Sequence, residues 1–360
     1  MKRLRVLIVD DSLTVRRRLA DAFTAEGSCE VVGEASDGQM AFEQCQRLRP
    51  DVVTMDLMMP RVDGLRATEL IMGHCPTPIV VLSATENRVE GLRTLDALAA
   101  GAVDAVDKPS GLLDARWMET LLSRVRVASR VRVITHVRAR LKTERPRPPS
   151  AVPPPMPAVA PSSHAPRLLV VGASTGGPAA MRYLLGALPP DFPLPMLLVL
   201  HTTENFDTAM AEWLEAQSGL SVRKAVDGEP LPLPGRLCVR MAPGNRHMVV
   251  RSGRLWLEDG PERHSCRPSV DSLFESVARE MGATAIGCLL TGMGRDGAEG
   301  LSALRRAGAP TVVEDESTCV VFGMPREAIR LGAAQHVVGL TGLPLLLTAL
   351  ARAGAREGTA

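Results

Sequence analysis

Short hydrophobic runs alternate with amphipathic stretches in the first third of the chain. Five runs predict strands, and the apolar residues between them have helical spacing; the runs lie at 4–9, 29–35, 51–56, 78–84 and 102–109. Strands that alternate with helices in this way predict a parallel sheet with helices on both faces. We therefore predict an N-terminal doubly wound α/β domain with a five-stranded parallel sheet.

The second half repeats this alternation with one interruption. Buried strands are predicted at 167–174, 195–201, 283–292 and 310–316. Between 220 and 265 the pattern changes to short strands bounded by polar residues, Gly and Pro. That change favours an antiparallel excursion on an otherwise parallel sheet. We predict a C-terminal α/β domain with a mainly parallel sheet and a short antiparallel excursion.

A proline-rich segment separates the two halves. Nine of the 21 residues at 146–166 are proline, which is incompatible with the interior of a helix or sheet. A dense basic series precedes it, and we interpret this series as the solvated side of a helix and linker, with an acidic partner as the alternative. The predicted domains are 1–125, a basic and then proline-rich linker at 126–166, and 167–355.

Composition narrows the function classes. The 42 basic and 40 acidic residues give a formal net charge of +2, and aromatic residues make up 3% of the chain. This balance predicts no nucleic-acid partner and no membrane-binding field. The N-terminal apolar run is too short for a signal peptide, and no run approaches a membrane span, so we expect a cytoplasmic protein without membrane insertion. The seven cysteines include no C-x-x-C pair and fit buried thiols in a reducing compartment.

Four of the five predicted strands in the first half end at polar or charged residues. Asp10 and Asp11 end the first strand, Asp56 the third, Ser83 the fourth and Lys108 the fifth. The carboxyl ends of parallel strands meet at one edge of the sheet, where carboxylates suit a hard cation such as Mg²⁺. A hydroxyl and an ammonium group beside them suit a phosphoryl group formed on Asp56. Taken singly, these residues are also compatible with a helix cap or a strand exit.

This set resembles the receiver domain of bacterial response regulators over residues 1–125. The resemblance implies that Asp56 is the phospho-acceptor and that Ser83 and Lys108 form the switch pair. It also implies an Mg²⁺ site, whose ligands would be Asp10, Asp11, Asp56 and the main-chain carbonyl of Met58. Receivers usually carry an aromatic residue where this chain has Ala105.

A glycine-rich turn follows the first strand of the second half. The segment 172–176 matches the pattern G-x-S-x-G, with Ser174 at its centre and Pro178 in the first turn of the next helix. Ser174 would then lie at a helix N-terminus, where amide groups can hold an oxyanion. The alternative is a dinucleotide or phosphate loop, but the pattern G-x-G-x-x-G and a Walker lysine are both missing.

A serine nucleophile needs a base and an acid that orients the base. His201 ends the apolar strand PMLLVLH, and Asp296 follows the strand AIGCLLTGMGRDG, so all three candidates fall at strand ends. A single histidine at a strand end is more often structural. The serine turn and the loop that contains Asp296 nevertheless favour His201 as the base. His247 is the alternative base, although it is predicted to open a strand rather than close one.

The second half resembles the catalytic domain of the chemotaxis protein-glutamate methylesterases, the CheB family, over residues 167–355. The motifs that carry this resemblance are GASTGGP, APGNRHM, CRPSVDSLFESVA and LLTGMGRDGAEGL. The resemblance implies Ser174 as nucleophile, His201 as general base and Asp296 as its orienting acid. It also implies that the amide of Met293 and the turn after Ser174, which begins with Thr175, contribute to an oxyanion hole. The segment 266–271, which includes Arg267, would border the site.

The implied reaction is hydrolysis of γ-glutamyl methyl esters on methyl-accepting chemotaxis receptors, with deamidation of receptor glutamines as a second activity. A chemotaxis histidine kinase would be the phosphodonor, and the unphosphorylated receiver would pack over the hydrolase crevice until Asp56 is phosphorylated. No cofactor is expected for the esterase, because no His/Cys cluster has zinc-ligand spacing in the sequence.

The segment LHTTENF departs from the family around the candidate base. Members usually have Gln before the histidine and Met-Pro after it, where this chain has Leu200, Thr202 and Thr203. The alternative function that this departure leaves open is a non-catalytic phospho-switch, in which the second domain only binds a partner.

Overall fold

The computed structural model describes residues 3–83, 88–109, 114–131, 133, 165–201 and 204–353. The chain divides into two compact units, Met1–Pro149 and Ser150–Ala360. Most of the predicted linker, 126–166, lies outside the described residues, as do Thr202 and Thr203. Among the described residues, no helix combines the length and apolar character needed to cross a bilayer.

The first unit is a five-stranded parallel sheet with the strand order β2-β1-β3-β4-β5. The prediction of a doubly wound parallel domain is confirmed. Its elements in chain order are β1 (Leu4–Val9), α1 (Leu13–Glu26), β2 (Cys29–Ala35), α2 (Gly38–Leu48), β3 (Val52–Asp56), α3 (Gly64–His74), β4 (Ile79–Ser83), α4 (Arg88–Ala99), β5 (Asp104–Asp107) and α5 (Ala115–Ala128).

The strands of this unit form where the sequence is uniformly apolar. Every residue of β3 and β4 is buried, which a strand covered by helices on both faces requires. Side-chain caps fix where several helices begin, since Asp63 and Asp114 accept hydrogen bonds from backbone amides of α3 and α5. Helix α5 runs three residues beyond the predicted boundary at 125, and Val133 packs against the core of the unit.

The second unit contains a seven-stranded parallel sheet with the order β14-β13-β12-β6-β7-β9-β8. Its strands are β6 (Leu168–Ala173), β7 (Met196–Leu200), β8 (Val222–Lys224), β9 (Val239–Met241), β10 (His247–Arg251), β11 (Arg254–Glu258), β12 (Ala285–Leu289), β13 (Thr311–Glu314) and β14 (His336–Val338). Its helices are α6 (Gly177–Ala187), α7 (Glu204–Ser218), α8 (Val270–Glu280), α9 (Ala298–Arg306), α10 (Met324–Arg330) and α11 (Leu343–Arg352).

Within 220–265, where an antiparallel excursion is predicted, the hairpin β10–β11 is antiparallel and forms a sheet of its own, whereas β8 and β9 join the seven-stranded parallel sheet. The turn residues of the hairpin, Ser252 and Gly253, both have positive φ, the backbone geometry that closes a tight hairpin. The hairpin buries Met248, Val250 and Leu255 in the same core as α8, so that core holds it in place. Strands β8 and β9 are parallel to each other. A parallel pair needs a crossover connection, and the segment between these two strands is long enough to provide one.

The order of the central strands positions the candidate site. Strand β6 lies between β7 and β12, and the chain leaves these three neighbours at the same edge of the sheet. Ser174 follows β6, His201 follows β7, and the loop that contains Asp296 follows β12. Open parallel sheets bind ligands at such an edge, where successive connections run in opposite directions.

Candidate functional site

The turn between β6 and α6 presents Ser174. Gly176 has a φ of 80°, and the amide of Gly177 donates a 2.7 Å hydrogen bond to the carbonyl of Ser174, which closes the turn. A Cβ atom on Gly172 would come within 2.3 Å of the Val270 side chain, so the strand before the serine also requires glycine. The small residues of G-x-S-x-G therefore have a packing role as well as a conformational one.

His201 and Asp296 are in direct contact. His201 Nε2 lies 2.8 Å from Asp296 Oδ2, although 95 residues separate them in the sequence. The backbone amide of His201 donates to the carbonyl of Ala173, which ties the end of β7 to the residue before Ser174. The structure thus brings the predicted base and its predicted orienting acid together.

The carboxylate of Asp296 sits at the N-terminus of α8. It accepts hydrogen bonds from Ser269 Oγ at 2.7 Å, from the amide of Val270 at 2.6 Å and from the amide of Asp271 at 3.1 Å. Burial alone would raise the pKa of Asp296, but its bonds to His201, Ser269 and Val270 outweigh burial and lower the pKa to about 2. His201 and the helix N-terminus therefore together keep this carboxylate ionised.

Ser269 lies in the segment 266–271 that was predicted to border the site, but no role of its own was predicted for it. It caps α8 by accepting from the amide of Ser272, and it also donates to Asp296. The signal was present, since a serine before the apolar pattern of 270–280 is typical of an N-cap. What the sequence did not indicate is that the capped helix end faces Asp296.

The environment of His201 favours its protonated form. Burial lowers the pKa of His201, but the hydrogen bond to Asp296 and the proximity of Cys266 outweigh burial and raise the pKa to about 9. Because Nε2 bonds to Asp296, Nδ1 is the nitrogen left to exchange a proton with Ser174. Within the described part of the chain, no hydrogen bond joins Ser174 Oγ to His201, and such bonds are often long in resting enzymes.

His247, the alternative base, is fully engaged elsewhere. It opens β10 and is 4% exposed. Its Nε2 donates to the carbonyl of Pro261 at 3.0 Å, and its Nδ1 accepts from the amide of Ser269 at 3.1 Å. With both ring nitrogens occupied, His247 has no lone pair for catalysis and instead positions Ser269.

The predicted oxyanion and border residues lie around this cluster. Thr175 is buried, and its carbonyl accepts a bond from Thr291 Oγ1 at 2.9 Å, while Met293 is half-buried in the loop after β12. Arg267 donates to Asn245 Oδ1 and to the carbonyl of Gly260, so its guanidinium is held within the border loops. The roles assigned to these three residues stay predictions.

In the first unit, Lys108 bridges two acids. Its Nζ lies 2.7 Å from Asp10 Oδ2 and 2.6 Å from Asp56 Oδ1. Ser83 is buried, and its Oγ lies 2.8 Å from Thr94 Oγ1, which also lies 2.9 Å from the carbonyl of Glu90. Asp11 is exposed at the same strand end.

The charges of this pocket are only partly balanced. Burial raises the pKa of Asp56; Lys108 opposes this effect, whereas Asp10 and Asp11 reinforce it. Burial lowers the pKa of Lys108, but Asp56 and Asp10 outweigh burial and raise it. Three carboxylates face one ammonium group, so negative charge is in excess. Carboxylate oxygens are hard ligands, and the pocket therefore fits a divalent cation such as Mg²⁺.

Each unit carries a site that matches its topology. The first falls in the class of parallel α/β domains that accept a phosphoryl group at a strand-end aspartate. The second has a histidine–carboxylate pair next to a serine on a tight strand-to-helix turn, which is typical of serine hydrolases. By fold and site, the protein is therefore a hydrolase with its own regulatory domain.

Comparison with known proteins narrows this class. The family model "CheB methylesterase" matches residues 169–347, and the model "Response regulator receiver domain" matches residues 6–116. A protein-glutamate methylesterase/protein-glutamine glutaminase from Anaeromyxobacter dehalogenans (strain 2CP-C) is 42% identical over 97% of each chain. One from Xanthomonas oryzae pv. oryzae (strain MAFF 311018) is 42% identical over 96% of this chain and 97% of its own.

Among solved structures, the Thermotoga maritima CheB methylesterase catalytic domain is 33% identical, covers 52% of this chain and 100% of its own, and superposes with a TM-score of 0.49. The identity to relatives over nearly the whole chain is decisive. This chain belongs to the CheB methylesterase family.

Proposed function

We propose that the protein is a phosphorylation-regulated protein-glutamate methylesterase that hydrolyses γ-glutamyl methyl esters on chemotaxis receptors and deamidates receptor glutamines. The observation that carries the proposal is the 2.8 Å contact between His201 Nε2 and Asp296 Oδ2 at the strand edge that also presents Ser174. The names of the full-length relatives support the choice of substrate. In this proposal 1–125 is the receiver, 126–166 the linker and 167–355 the catalytic domain.

The proposed chemistry is acyl transfer to water. Ser174 Oγ attacks the ester carbonyl while His201 Nδ1 takes its proton, and Asp296 stabilises the imidazolium that forms. Amide groups of the turn after Ser174 and of Met293 hold the oxyanion. The imidazolium returns its proton to the leaving methoxide, so methanol departs and leaves an acyl-enzyme. Water, deprotonated by His201, then frees the glutamate and restores Ser174.

Deamidation uses the same acyl-enzyme with a different leaving group. A receptor glutamine has an amide where the ester has methoxy, so the proton from His201 goes to nitrogen and ammonia leaves. The low pKa of Asp296 supports both reactions, because an acid that stays ionised keeps the imidazole oriented throughout the cycle.

In the receiver, Asp56 accepts the phosphoryl group from a chemotaxis histidine kinase. Mg²⁺, held by Asp10, Asp11, Asp56 and the carbonyl of Met58, would supply charge neutralisation when bound. Lys108 is 2.6 Å from Asp56 Oδ1 and therefore stands where a phosphoryl oxygen would need a positive partner. The hydroxyl of Ser83 donates to another phosphoryl oxygen. We place kinase, receptor helices and enzyme together in the cytoplasm.

The test is methanol release from methylated receptor membranes, measured with and without a phosphodonor. We expect release by the wild type, stimulation by acetyl phosphate and loss of about a thousandfold or more in Ser174→Ala. Ser302→Ala on α9 is a matched control that should keep the wild-type rate. If no methanol is released by a folded wild type that still takes up phosphate, the non-catalytic phospho-switch is the correct function instead.

A further inference from the structure

The fold creates a cluster that the spacing of the sequence does not indicate. Cys266 Sγ lies 3.6 Å from Nδ1 of His201, although 65 residues separate the two in the chain. Together with Asp296 they form a group of three potential metal ligands whose atoms lie within 4.8 Å of one another. Motifs with short ligand spacing, by which zinc sites are recognised in sequences, are not needed when a sheet edge brings the ligands together.

The neutral form of His201 has the tautomer that a metal ligand requires. Asp296 can only accept, so the contact with His201 Nε2 places a proton on that nitrogen and leaves the lone pair on Nδ1. Histidines that bind metals commonly donate their other N–H to a carboxylate, which orients the ring and makes it more basic. Asp296 is itself fixed by three donors from the start of α8, so this outer support is rigid.

The separation of the two ligand atoms matches a tetrahedral metal. Zinc bonds of about 2.1 Å to nitrogen and 2.3 Å to sulfur, at a tetrahedral angle, place these atoms about 3.6 Å apart. The distance from Cys266 Sγ to His201 Nδ1 is 3.6 Å. Metal binding would therefore need little movement of either side chain.

The loop that carries Cys266 is also firmly held. The backbones of Arg263 and Cys266 exchange two hydrogen bonds, of 3.1 and 2.9 Å. Between them, the ring of His264 accepts from Arg295 Nε at 3.0 Å and contacts Asp271 at 3.1 Å. The thiol is thus presented to His201 by a braced turn and not by a free loop.

We propose that His201 and Cys266 form an inhibitory site for a thiophilic divalent cation, for which Zn²⁺ is the representative. Nδ1 of His201 and the thiolate of Cys266 bind the ion, the thiol proton and the Nδ1 proton of the imidazolium are released to solvent, and water fills the remaining positions. Because the ion takes the lone pair that would accept the proton of Ser174, the esterase stops while the ion is bound. Hard cations such as Mg²⁺ prefer oxygen ligands and leave this site free.

Binding can be measured without any activity by adding Co²⁺ to the full-length protein. A thiolate bound to Co²⁺ gives a charge-transfer band in the near ultraviolet, whereas Co²⁺ on the carboxylates of the receiver does not. We expect the band in the wild type and in Ser174→Ala, and its loss in Cys266→Ser. Cys238→Ser is the matched control, because Cys238 lies just before β9 at the opposite end of the strands.

The inhibitory effect, which rests on the proposed esterase function, is measured as methanol release in increasing Zn²⁺. We expect inhibition that a chelator reverses and that equal Mg²⁺ does not cause. Half-inhibition of Cys266→Ser, relative to its own zinc-free rate, should need at least about tenfold more Zn²⁺. Cys238→Ser should respond as the wild type does.

The outcomes separate the two proposals. A cobalt band that is absent from the wild type, or that persists in Cys266→Ser, overturns the metal site and leaves a thiol–imidazole hydrogen bond as the meaning of the contact. Zinc inhibition that is equal in wild type and Cys266→Ser also overturns it, because the ion would then act through the receiver or the substrate. A protein with the band but without methanol release would instead refute the esterase.

Discussion

At the scale of single residues, the partners of the ring nitrogens decide what a histidine can do. His201 bonds through Nε2 to Asp296 and has only the thiol of Cys266, at 3.6 Å, beside Nδ1, whereas both nitrogens of His247 are bonded to the backbone. The sequence alone could rank these two histidines only by their position relative to a strand. The hydrogen bonds give the physical reason for the ranking.

Alanine substitutions of the two histidines should therefore differ in kind. His201→Ala removes the proposed base, so we expect a loss of methanol release comparable to that of Ser174→Ala, together with some loss of stability because the buried Asp296 loses its charged partner. His247→Ala leaves the buried amide of Ser269 without its acceptor, so we expect about 1–3 kcal/mol of destabilisation and a smaller loss of rate. Denaturant unfolding and methanol release, measured on both variants, give the comparison; the reverse pattern would make His247 the base.

The raised pKa of His201 predicts an alkaline profile. A general base must be neutral, so kcat/KM should rise with pH until about 9, the pKa that Asp296 and Cys266 give His201 against burial. Asp296→Asn should move the inflection of the residual activity toward the ordinary value. Since the pKa is raised in the folded state, the matching stabilisation is full below about 6.5 and disappears as pH rises through about 9. An inflection of wild-type kcat/KM below pH 7 would contradict this picture.

At the scale of elements, helix α8 does for Asp296 what a bound cation would do in other sites. Its amide groups and the Ser269 hydroxyl face the carboxylate and act together with His201, the larger cause, to lower the pKa of Asp296 to about 2 in spite of burial. Asp296 orients His201 and is itself held by the start of α8. The orientation of His201 therefore depends on the stability of this helix. A helix start is usually a local matter of capping, but here it is also part of the candidate site.

Ser269→Ala separates these two effects. We expect a loss of about 0.5–2 kcal/mol from the missing cap, together with a lower kcat because Asp296 loses its Oγ donor. Asp114→Ala removes an N-cap of α5 in the other unit and should cost similar stability without lowering the basal esterase rate. Unfolding free energies and methanol release are measured on both. Equal rates in the two variants would show that Ser269 is only a cap.

Much of the fold was predictable because it follows from local pattern. Uniform apolar runs predicted β1 to β7, β12 and β13, but not the short parallel strands β8, β9 and β14. Strand-end positions indicated which candidate side chains share an edge. The independence of the hairpin β10–β11 was not predictable, since it depends on packing against α8. The contacts of Asp296 with Ser269, and of His201 with Cys266, are also long-range, and neither follows from local periodicity.

At the scale of the whole molecule, the receiver is expected to control the hydrolase through Asp56. Asp56→Asn should take up no phosphate from acetyl phosphate and should keep a basal esterase rate that no phosphodonor changes. Phosphate incorporation and methanol release are measured on the same preparation, with Asp51→Asn, at the opposite end of β3, as the control. Incorporation that persists in Asp56→Asn would move the acceptor to another carboxylate.

Removal of the receiver tests the direction of this control. The family resemblance implies that the unphosphorylated receiver restrains the hydrolase, so a fragment that starts at Arg167 should be faster than the unphosphorylated full chain. If nine-tenths of full-length molecules are restrained, the gain is about tenfold, equivalent to about 1.4 kcal/mol. Rates at equal concentration on methylated receptor give the answer. A folded fragment that is slower would mean that the receiver activates or delivers the hydrolase.

The place of β6 in the sheet also sets the order in which the protein matures during synthesis. Its register with β12 pairs Leu168 with Ala285, so one side of β6 stays an open edge until the ribosome has made more than a hundred further residues. The receiver, whose helix α5 ends at Ala128, can fold long before that. A nascent chain therefore acquires its regulator first, and the enzyme is complete only when the strand before Asp296 has emerged.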